Sequence, residues 1–141
     1  MTTIRSYREA DEGAVIALWE ACGLTRPWNP PAADIALLCR SGHGRILVAV
    51  QDGGVIGSVM VGHDGHRGWV YYLAVDPSHR HGGLGRRLMR AAEAWLEECG
   101  VRKLELMIRN SNVAVAAFYA GLGYREEPVR VMSRWLDGTQ P

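Results

Sequence analysis

The feature that most constrains the fold of this chain is an apolar segment followed by a glycine-rich loop and an amphipathic helix. Residues 68–75 are predicted to form a strand, and residues 83–99 carry apolar side chains at helical spacing. A second β-rich segment, residues 102–108, comes next. Strand–helix–strand order of this kind predicts two parallel strands joined by a right-handed crossover. The second half of the chain therefore predicts a βαβ unit.

The other segments predict a mixed central sheet flanked by helices. The pair Asp52-Gly53 indicates a tight hairpin between strands at residues 45–50 and 55–61. A strand at residues 3–7 precedes two helices, the first of which is expected to begin at a capping Asp11. A helix at residues 112–120 and a strand pair from residue 124 onward complete the predicted elements. We expect a single domain, residues 1–141, of the α/β (α+β) class.

Composition excludes several classes of partner. The chain has 16 Lys and Arg against 15 Asp and Glu, a net charge of +1, which gives no electrostatic basis for binding nucleic acid or an acidic membrane. No apolar run approaches the roughly 20 residues of a membrane-spanning helix, and the N-terminus lacks the apolar core of a signal peptide. The odd number of cysteines (Cys22, Cys39 and Cys99) predicts buried thiols rather than disulfides. We therefore expect a cytoplasmic protein without nucleic-acid or membrane partners.

The loop before the long helix has the composition of an anion site. It contains the run Arg80-His81-Gly82-Gly83-Leu84-Gly85-Arg86-Arg87. Glycines let a backbone approach a ligand closely, and the N–H groups at the start of a helix attract phosphate. The alternative is a flexible turn with solvated arginines. A P-loop is excluded because Lys-Ser/Thr does not follow the glycines, and a dinucleotide fingerprint is weak because position 88 is Leu88.

A third pattern fits the loop better. The spacing Arg80-x-x-Gly83-x-Gly85, preceded by Leu73-Ala74-Val75-Asp76-Pro77, resembles the acyl-CoA-binding motif of the GNAT N-acetyltransferase superfamily. Asn112, followed by the run Phe118-Tyr119-Ala120-Gly121-Leu122-Gly123-Tyr124, resembles the family's second motif. The resemblance covers essentially the whole chain. Within the family, Arg26-Pro27-Trp28-Asn29, residues 64–68 and Tyr71-Tyr72-Leu73 resemble the small bacterial YpeA-type proteins.

The resemblance implies acetyl transfer from acetyl-CoA directly to an amine, on a GNAT-like sheet and without a metal. The loop amides would bind the CoA pyrophosphate, and a backbone N–H near Leu73 or Ala74 would polarise the thioester. Asn112 would contact the pantetheine arm, and Tyr119 would protonate the departing sulfur. Asn112 could also serve as a helix cap and Tyr119 as a core residue. The implied cofactor-binding residues are Leu73, Ala74, Val75, Arg80, His81, Gly82, Gly83, Leu84, Gly85, Arg86, Asn112 and Tyr119.

The base that deprotonates the amine is not evident in the sequence. Members of the family that use a carboxylate often carry it on the strand corresponding to residues 68–75, and this strand contains no acid. The candidate catalytic groups are His66 and Tyr71, the latter acting through a water molecule. Deprotonation by bulk solvent is the alternative. His63, Asp64 and His66 do not predict a metal site, because a short turn spaces them poorly for tetrahedral ligation.

The acceptor amine is expected beside the segment that joins the first two helices. Trp28, held between prolines, would form an apolar wall or anchor the loop, and Arg26 would bind a carboxylate of the acceptor. A small amine, such as an amino-acid derivative, and a peptide N-terminus are the candidate acceptors. The alternative function is a non-catalytic acyl-CoA sensor or interaction module on the same fold. The strands expected from residue 124 onward could also support a homodimer.

Overall fold

The computed structural model describes residues 1–141, which divide into two compact units, Met1–Leu106 and Met107–Pro141. The first unit contains one sheet with strand order β1-β2-β3-β4-β5. The first four strands pair antiparallel, and β5 is parallel to β4. The strands are β1 (Thr3–Ser6), β2 (Gly44–Gln51), β3 (Gly54–His63), β4 (Gly68–Val75) and β5 (Leu104–Glu105).

Two helices of the first unit, α1 (Glu12–Ala21) and α2 (Pro31–Ser41), cover one face of the sheet. Proline suits the first turn of α2, because the N–H that it lacks would have no helical acceptor there. Gly42 ends α2 with a φ of 75°, a left-handed conformation that glycine adopts without a Cβ clash. The core on this face consists of Val15, Leu18, Trp19, Ile35, Ile46, Val48, Met60 and Ala74.

Helix α3 (Leu84–Glu98) packs on the opposite face, where glycines let it come close to the sheet. A Cβ on Gly68 would lie 2.6 Å from Cδ1 of Leu96, and a Cβ on Gly57 would lie 3.0 Å from Cδ1 of Leu88. Both distances are shorter than an ordinary van der Waals contact. The strand glycines therefore fix how near α3 lies to β3 and β4, and with it where the start of α3 meets the end of β4.

The second unit contains one helix, α4 (Val113–Gly121). The side chain of Asn112 caps this helix by accepting a hydrogen bond of 3.3 Å from the N–H of Val115. The ring of Tyr119 makes edge-on contacts with Phe118 and Tyr124. Residues 122–141 contain no helix or strand.

The βαβ unit, the hairpins and the four helices confirm the predicted order of elements. The strand pair from residue 124 onward is wrong, since a period of two predicts a face but does not supply the partner strand that the backbone needs. The homodimer considered above therefore has no strand in this segment to pair. β5 is shorter than predicted, two residues instead of seven, because ladder length depends on the course of the partner strand.

Two local predictions are also wrong. The carboxylate of Asp11 makes no cap for α1 and instead forms a two-point ion pair with Arg5, at 2.8 and 3.0 Å. Cys39 and Cys99 are exposed, and all three thiols are free. None of the helices has the length and apolarity needed to cross a bilayer.

Candidate active site

A β-bulge interrupts β4 near its carboxyl end. The β3–β4 register shifts by one residue between Ser58 and Met60, so Tyr72 and Leu73 of β4 both lie opposite Val59. Tyr72 has a φ of 53°, which costs a residue with a side chain about 1 kcal/mol or more. The extra residue of a bulge is left out of the ladder, and its polar groups become available to other partners. The bulge therefore lies where the motif implies the N–H that polarises a thioester.

Three parts of Tyr72 are held in place by what we call the Tyr72 network: Trp19, Asn29, Asp34 and Ser58. The ring of Trp19 stacks on the Tyr72 ring at 3.8 Å and 9°. The Ser58 hydroxyl donates to the Tyr72 carbonyl at 3.0 Å and accepts from Nε1 of Trp19 at 2.8 Å. The Tyr72 hydroxyl donates to Oδ2 of Asp34 at 2.6 Å, and Nδ2 of Asn29 donates to the same oxygen at 2.9 Å. Burial and the bond to Asp34 raise the pKa of Tyr72 far above its usual value, so its phenol stays protonated.

The sheet contacts between β4 and β5 end well before the bulge. Gly68 pairs with Leu104 and Trp69 with Glu105, and the ladder goes no further. An ion pair between Arg67 and Glu105, at 3.4 Å, lies at this same end. The part of β4 that contains the bulge thus has β3 on one side and no pairing to β5 on the other.

The start of α3 has the geometry of an anion site. His81 and Gly83 have φ values of 68° and 82°, which turn the chain sharply from the end of β4 into the helix. Gly83 is the N-cap of α3 and has no side chain with which to cap the helix, and the first turn contains no acidic residue. The first backbone hydrogen bond of the helix runs from the N–H of Arg87 to the carbonyl of Gly83. The N–H groups before that bond, those of Leu84, Gly85 and Arg86, have no acceptor within the helix. Together with the helix dipole, they favour a phosphate.

The side chain of Arg80, a residue predicted to bind the cofactor, makes contacts within the protein. Its Nε donates to the carbonyl of Val75 at 3.2 Å, and its Nη2 lies 3.6 Å from Sγ of Cys22. Sγ of Cys22 itself donates to the Val75 carbonyl at 3.4 Å. Arg80 therefore fastens the loop to the end of β4, and binding of a phosphate by its side chain stays a prediction.

Comparison with known proteins identifies the family. Residues 12–124 match the family model described as Acetyltransferase (GNAT) family. The chain belongs to this family. An acetyltransferase of Pectobacterium atrosepticum is 45% identical over 121 residues, 86% of each chain, and one of Yersinia enterocolitica is 40% identical over 133 residues, 94% of each chain.

Solved GNAT structures have the same fold. AAC(6')-Iy, in complex with the bisubstrate analogue CoA-S-monomethyl-acetylneamine, has a TM-score of 0.80 and 19% identity over 96% of this chain and 98% of its own. The ribosomal-protein-S18-alanine N-acetyltransferase of Escherichia coli has a TM-score of 0.76 and 26% identity over 90% of this chain and 79% of its own. GNAT enzymes use acetyl-CoA, and this chain is an acetyltransferase by family. Nothing in these comparisons supports the alternative of a non-catalytic sensor.

The two groups considered as a base are poorly suited to that role in this GNAT enzyme. His66 lies in the β3–β4 turn, seven residues and roughly 20 Å along the strand from Leu73. It is therefore at the wrong end of β4, and its assignment as a base is not retained. Tyr71 is 45% exposed, and burial of the rest of its ring raises its pKa, which keeps the phenol protonated at neutral pH. In the β3–β4 turn, the N–H groups of Arg67 and His66 donate hydrogen bonds to the carboxylate of Asp64 and lower its pKa to about 2. The carboxylate is therefore already bound within the turn.

Arg26 and Trp28, the predicted acceptor residues, belong to a tight turn closed by a bond from the N–H of Asn29 to the carbonyl of Arg26. Nη1 of Arg26 donates to the carbonyls of Gly23 and Thr25, at 3.0 and 2.8 Å, so the guanidinium stabilises its own loop. The ring of Trp28 is 40% exposed and is available to a ligand. The turn also delivers Asn29 to the Tyr72 network, which the sequence did not indicate.

The second motif lies in the second unit. Asn112 is the helix cap that its residue type suggested. Tyr119 is buried, and burial raises its pKa to about 12, so its phenol keeps its proton throughout the physiological range. A group that is to donate a proton must carry one at working pH, and Tyr119 meets that condition.

Proposed function

We propose that this GNAT protein is an acetyl-CoA-dependent N-acetyltransferase that transfers the acetyl group directly to the primary amine of a small molecule or to a peptide N-terminus. The observation that carries the proposal is the combination of the β4 bulge with the uncapped start of α3, only about ten residues apart. Acetyl-CoA supplies an activated thioester at one end and a pyrophosphate near the other. The chain provides backbone donors suited to each.

The backbone performs most of the binding. The amides of residues 81–86 bind the pyrophosphate, and the left-handed φ values of His81 and Gly83 support this by exposing the helix start. The backbone of Leu73, Ala74 and Val75 pairs with the pantetheine amides along the part of β4 that β5 does not cover. The N–H at the bulge donates to the thioester oxygen as negative charge develops on it. A donor of this kind typically contributes about 100- to 1000-fold to the rate.

Tyr119 and Asn112 keep the roles that the motif implies. Tyr119 donates a hydrogen bond to the departing sulfur, and Asn112 contacts the pantetheine arm while it caps α4. A phenol with a pKa of about 12 is a weaker acid than a thiol, which titrates at about 8.5. Tyr119 therefore stabilises the sulfur chiefly by hydrogen bonding, and completes the proton transfer only as it regains a proton from the amine or from solvent.

Solvent removes the proton of the acceptor amine. β4 has no carboxylate, and the raised pKa values of Tyr71 and Tyr72 leave both phenols protonated at neutral pH. The attacking species is then the free amine, whose fraction rises tenfold per pH unit below the amine pKa, which is about 10.4 for a lysine-like amine and about 7.7–8.0 for a peptide N-terminus. The rate at low amine concentration should follow this fraction, without a plateau near pH 6.5 that a histidine base would produce.

Trp28 and the structurally similar enzymes narrow the class of acceptor. AAC(6')-IG of Acinetobacter haemolyticus and the soil enzyme meta-AAC0020 are aminoglycoside acetyltransferases by name, and the similar Escherichia coli enzyme is by name an N-acetyltransferase of ribosomal-protein-S18 alanine. The exposed ring of Trp28 favours an acceptor with an apolar or sugar-like surface. Recognition of an acceptor carboxylate by Arg26 has less support, because its guanidinium already binds loop carbonyls.

The test is the melting temperature with acetyl-CoA, CoA, ATP and NAD, followed by thiol release with a panel of aminoglycosides, amino-acid amides and alanine-initiated peptides. A ligand at 100 times its Kd stabilises the native state by about 2.7 kcal/mol. A shift with the CoA ligands alone, and thiol release with at least one amine, is the expected result. No shift with either CoA ligand would refute the assignment of the loop and of the bulge together.

A further inference from the structure

We propose that Ser58 and Trp19 are positioning residues for acetyl transfer, because they fix the carbonyl of Tyr72 and so set the direction of the N–H at the β4 bulge. The proposal rests on the proposed use of that N–H to polarise acetyl-CoA. Neither residue lies on the strand that forms the bulge: Trp19 is on α1 and Ser58 on β3.

Ser58 is a buried polar side chain in an apolar strand, so its hydroxyl must find hydrogen-bond partners there. It has no exposed surface, and it lies in the apolar run Val55-Ile56-Gly57-Ser58-Val59-Met60-Val61. A buried hydroxyl without partners is costly, and both capacities of Ser58 are used: it accepts from Trp19 and donates to Tyr72. Its donor proton goes to the bulge itself, where the ladder is interrupted.

The contacts hold three separate parts of Tyr72. Trp19 holds the ring, Ser58 holds the carbonyl, and Asp34 holds the hydroxyl from the far end of the side chain. Rotation about φ of Tyr72 would swing all three away from their partners at once. The carbonyl of Tyr72 and the N–H of Leu73 belong to the same planar peptide, so a bond that fixes the carbonyl also fixes that N–H.

Trp19 links this anchor to the helix layer. Its side chain is fully buried, and its Nε1–H donates to the hydroxyl oxygen of Ser58, whose own proton is donated to the Tyr72 carbonyl. The indole thus selects the rotamer of Ser58 and stacks on the ring of the residue whose carbonyl that rotamer binds. Loss of either contact is expected to leave a foldable sheet with a less well-directed N–H.

The experiment measures the thioester carbonyl directly and needs no acceptor amine. Acetyl-CoA labelled with ¹³C at the carbonyl is bound to the protein, and its stretching frequency is obtained from the isotope-edited infrared difference spectrum. A hydrogen bond from the bulge lowers this frequency relative to that of acetyl-CoA in water. Ser58→Ala is compared with Val61→Ala, a control at another fully buried β3 position that lies on the α3 face.

Ser58→Ala is expected to bind acetyl-CoA with a Kd within about threefold of wild type and to return the carbonyl frequency towards its value in water. With an accepted amine, kcat should fall about 10- to 100-fold while KM for acetyl-CoA stays near the wild-type value. Val61→Ala should lower the melting temperature without changing the frequency. A lowered melting temperature with a wild-type frequency in Ser58→Ala would overturn the proposal, because it would make the role of Ser58 structural only.

Trp19→Phe provides a second variant if Ser58→Ala does not fold. It removes the Nε1 donor to Ser58 and keeps an aromatic ring beside that of Tyr72. A smaller change of frequency in the same direction supports the proposal, and an unchanged frequency and kcat overturn it. Wild-type protein that binds acetyl-CoA without any change of frequency would refute the proposed use of the bulge N–H, before any variant is compared.

Discussion

Replacement of Gly83 by Asp tests the anion site without destroying the fold. A Cβ on Gly83 would meet no atom within 4 Å, so the substitution creates no clash. The φ of 82° costs a residue with a side chain about 1 kcal/mol, and Asp and Asn tolerate this region better than other such residues. Gly83→Asn therefore has the same shape and nearly the same strain, but no charge. Both variants should melt about 4 °C below wild type.

The charge separates the two variants in binding. A carboxylate at this position would lie about 4–5 Å from a pyrophosphate on the loop amides, where two like charges repel by about 1 kcal/mol in water and about 4 kcal/mol at an effective dielectric constant of 20. A value of about 2 kcal/mol for an exposed loop corresponds to a Kd for acetyl-CoA about 30-fold weaker in Gly83→Asp than in Gly83→Asn. Screening should reduce this ratio at 1 M salt, where the Debye length falls to about 3 Å.

Isothermal titration of both variants with acetyl-CoA, at low and high salt, measures the ratio. Equal Kd values for the Asp and Asn variants, each with a native circular dichroism spectrum, would refute the placement of the pyrophosphate at this helix start. Desulfo-CoA serves as a ligand control, because it retains the pyrophosphate and lacks the sulfur.

Three further outcomes concern stability. Gly68→Ala should lower the free energy of unfolding by about 2 kcal/mol, because its Cβ would lie 2.6 Å from Leu96; an unchanged urea midpoint would contradict this. Burial raises the pKa of Tyr119 to about 12 in the folded protein, from about 10 in the unfolded chain. The free energy of unfolding should therefore fall as the pH rises from about 10 to 12, and it should fall less steeply in Tyr119→Phe. The bond from Arg5 lowers the pKa of Asp11, so Asp11→Asn should lose about 2 kcal/mol at pH 7 and little below the native pKa; equal losses at both pH values in urea titrations would argue against the ion pair.

Local signals in the sequence were sufficient for most of the fold. The pair Asp52-Gly53 predicted a hairpin, and both residues have the positive φ values, 51° and 78°, that such a turn requires. The alternation of Val129 and Val131 was equally regular, yet these residues are exposed and form no strand. A turn is decided by the two residues that form it, whereas a strand depends on a partner elsewhere in the chain.

The candidate site also combines features with a local sequence signal and features that depend on contacts distant in sequence. The glycine loop was predicted as an anion site from its own composition, and the N–H near Leu73 was implied by a motif that lies beside it; both stay predictions. The Tyr72 network was missed because its bonds join residues far apart: Trp19 and Ser58 are 39 residues apart, and Asp34 and Tyr72 are 38 apart. Two signals were present, the lone Ser58 in an apolar strand and consecutive tyrosines where a strand should alternate.

The bulge also divides β4 into two halves that serve different layers of the molecule. Before it, Gly68 faces Leu96 of α3, and after it another even-numbered residue, Ala74, packs with Trp19 of α1. Alternation along a strand would have placed both on one side. Tyr72 is thus the residue at which the strand changes phase. Its deletion would restore regular alternation, with Ala74 still facing α1 and still opposite Ser58, so the register of the sheet does not depend on this extra residue. The deletion would remove only the bulge itself, and with it the break in the ladder that the proposed site uses.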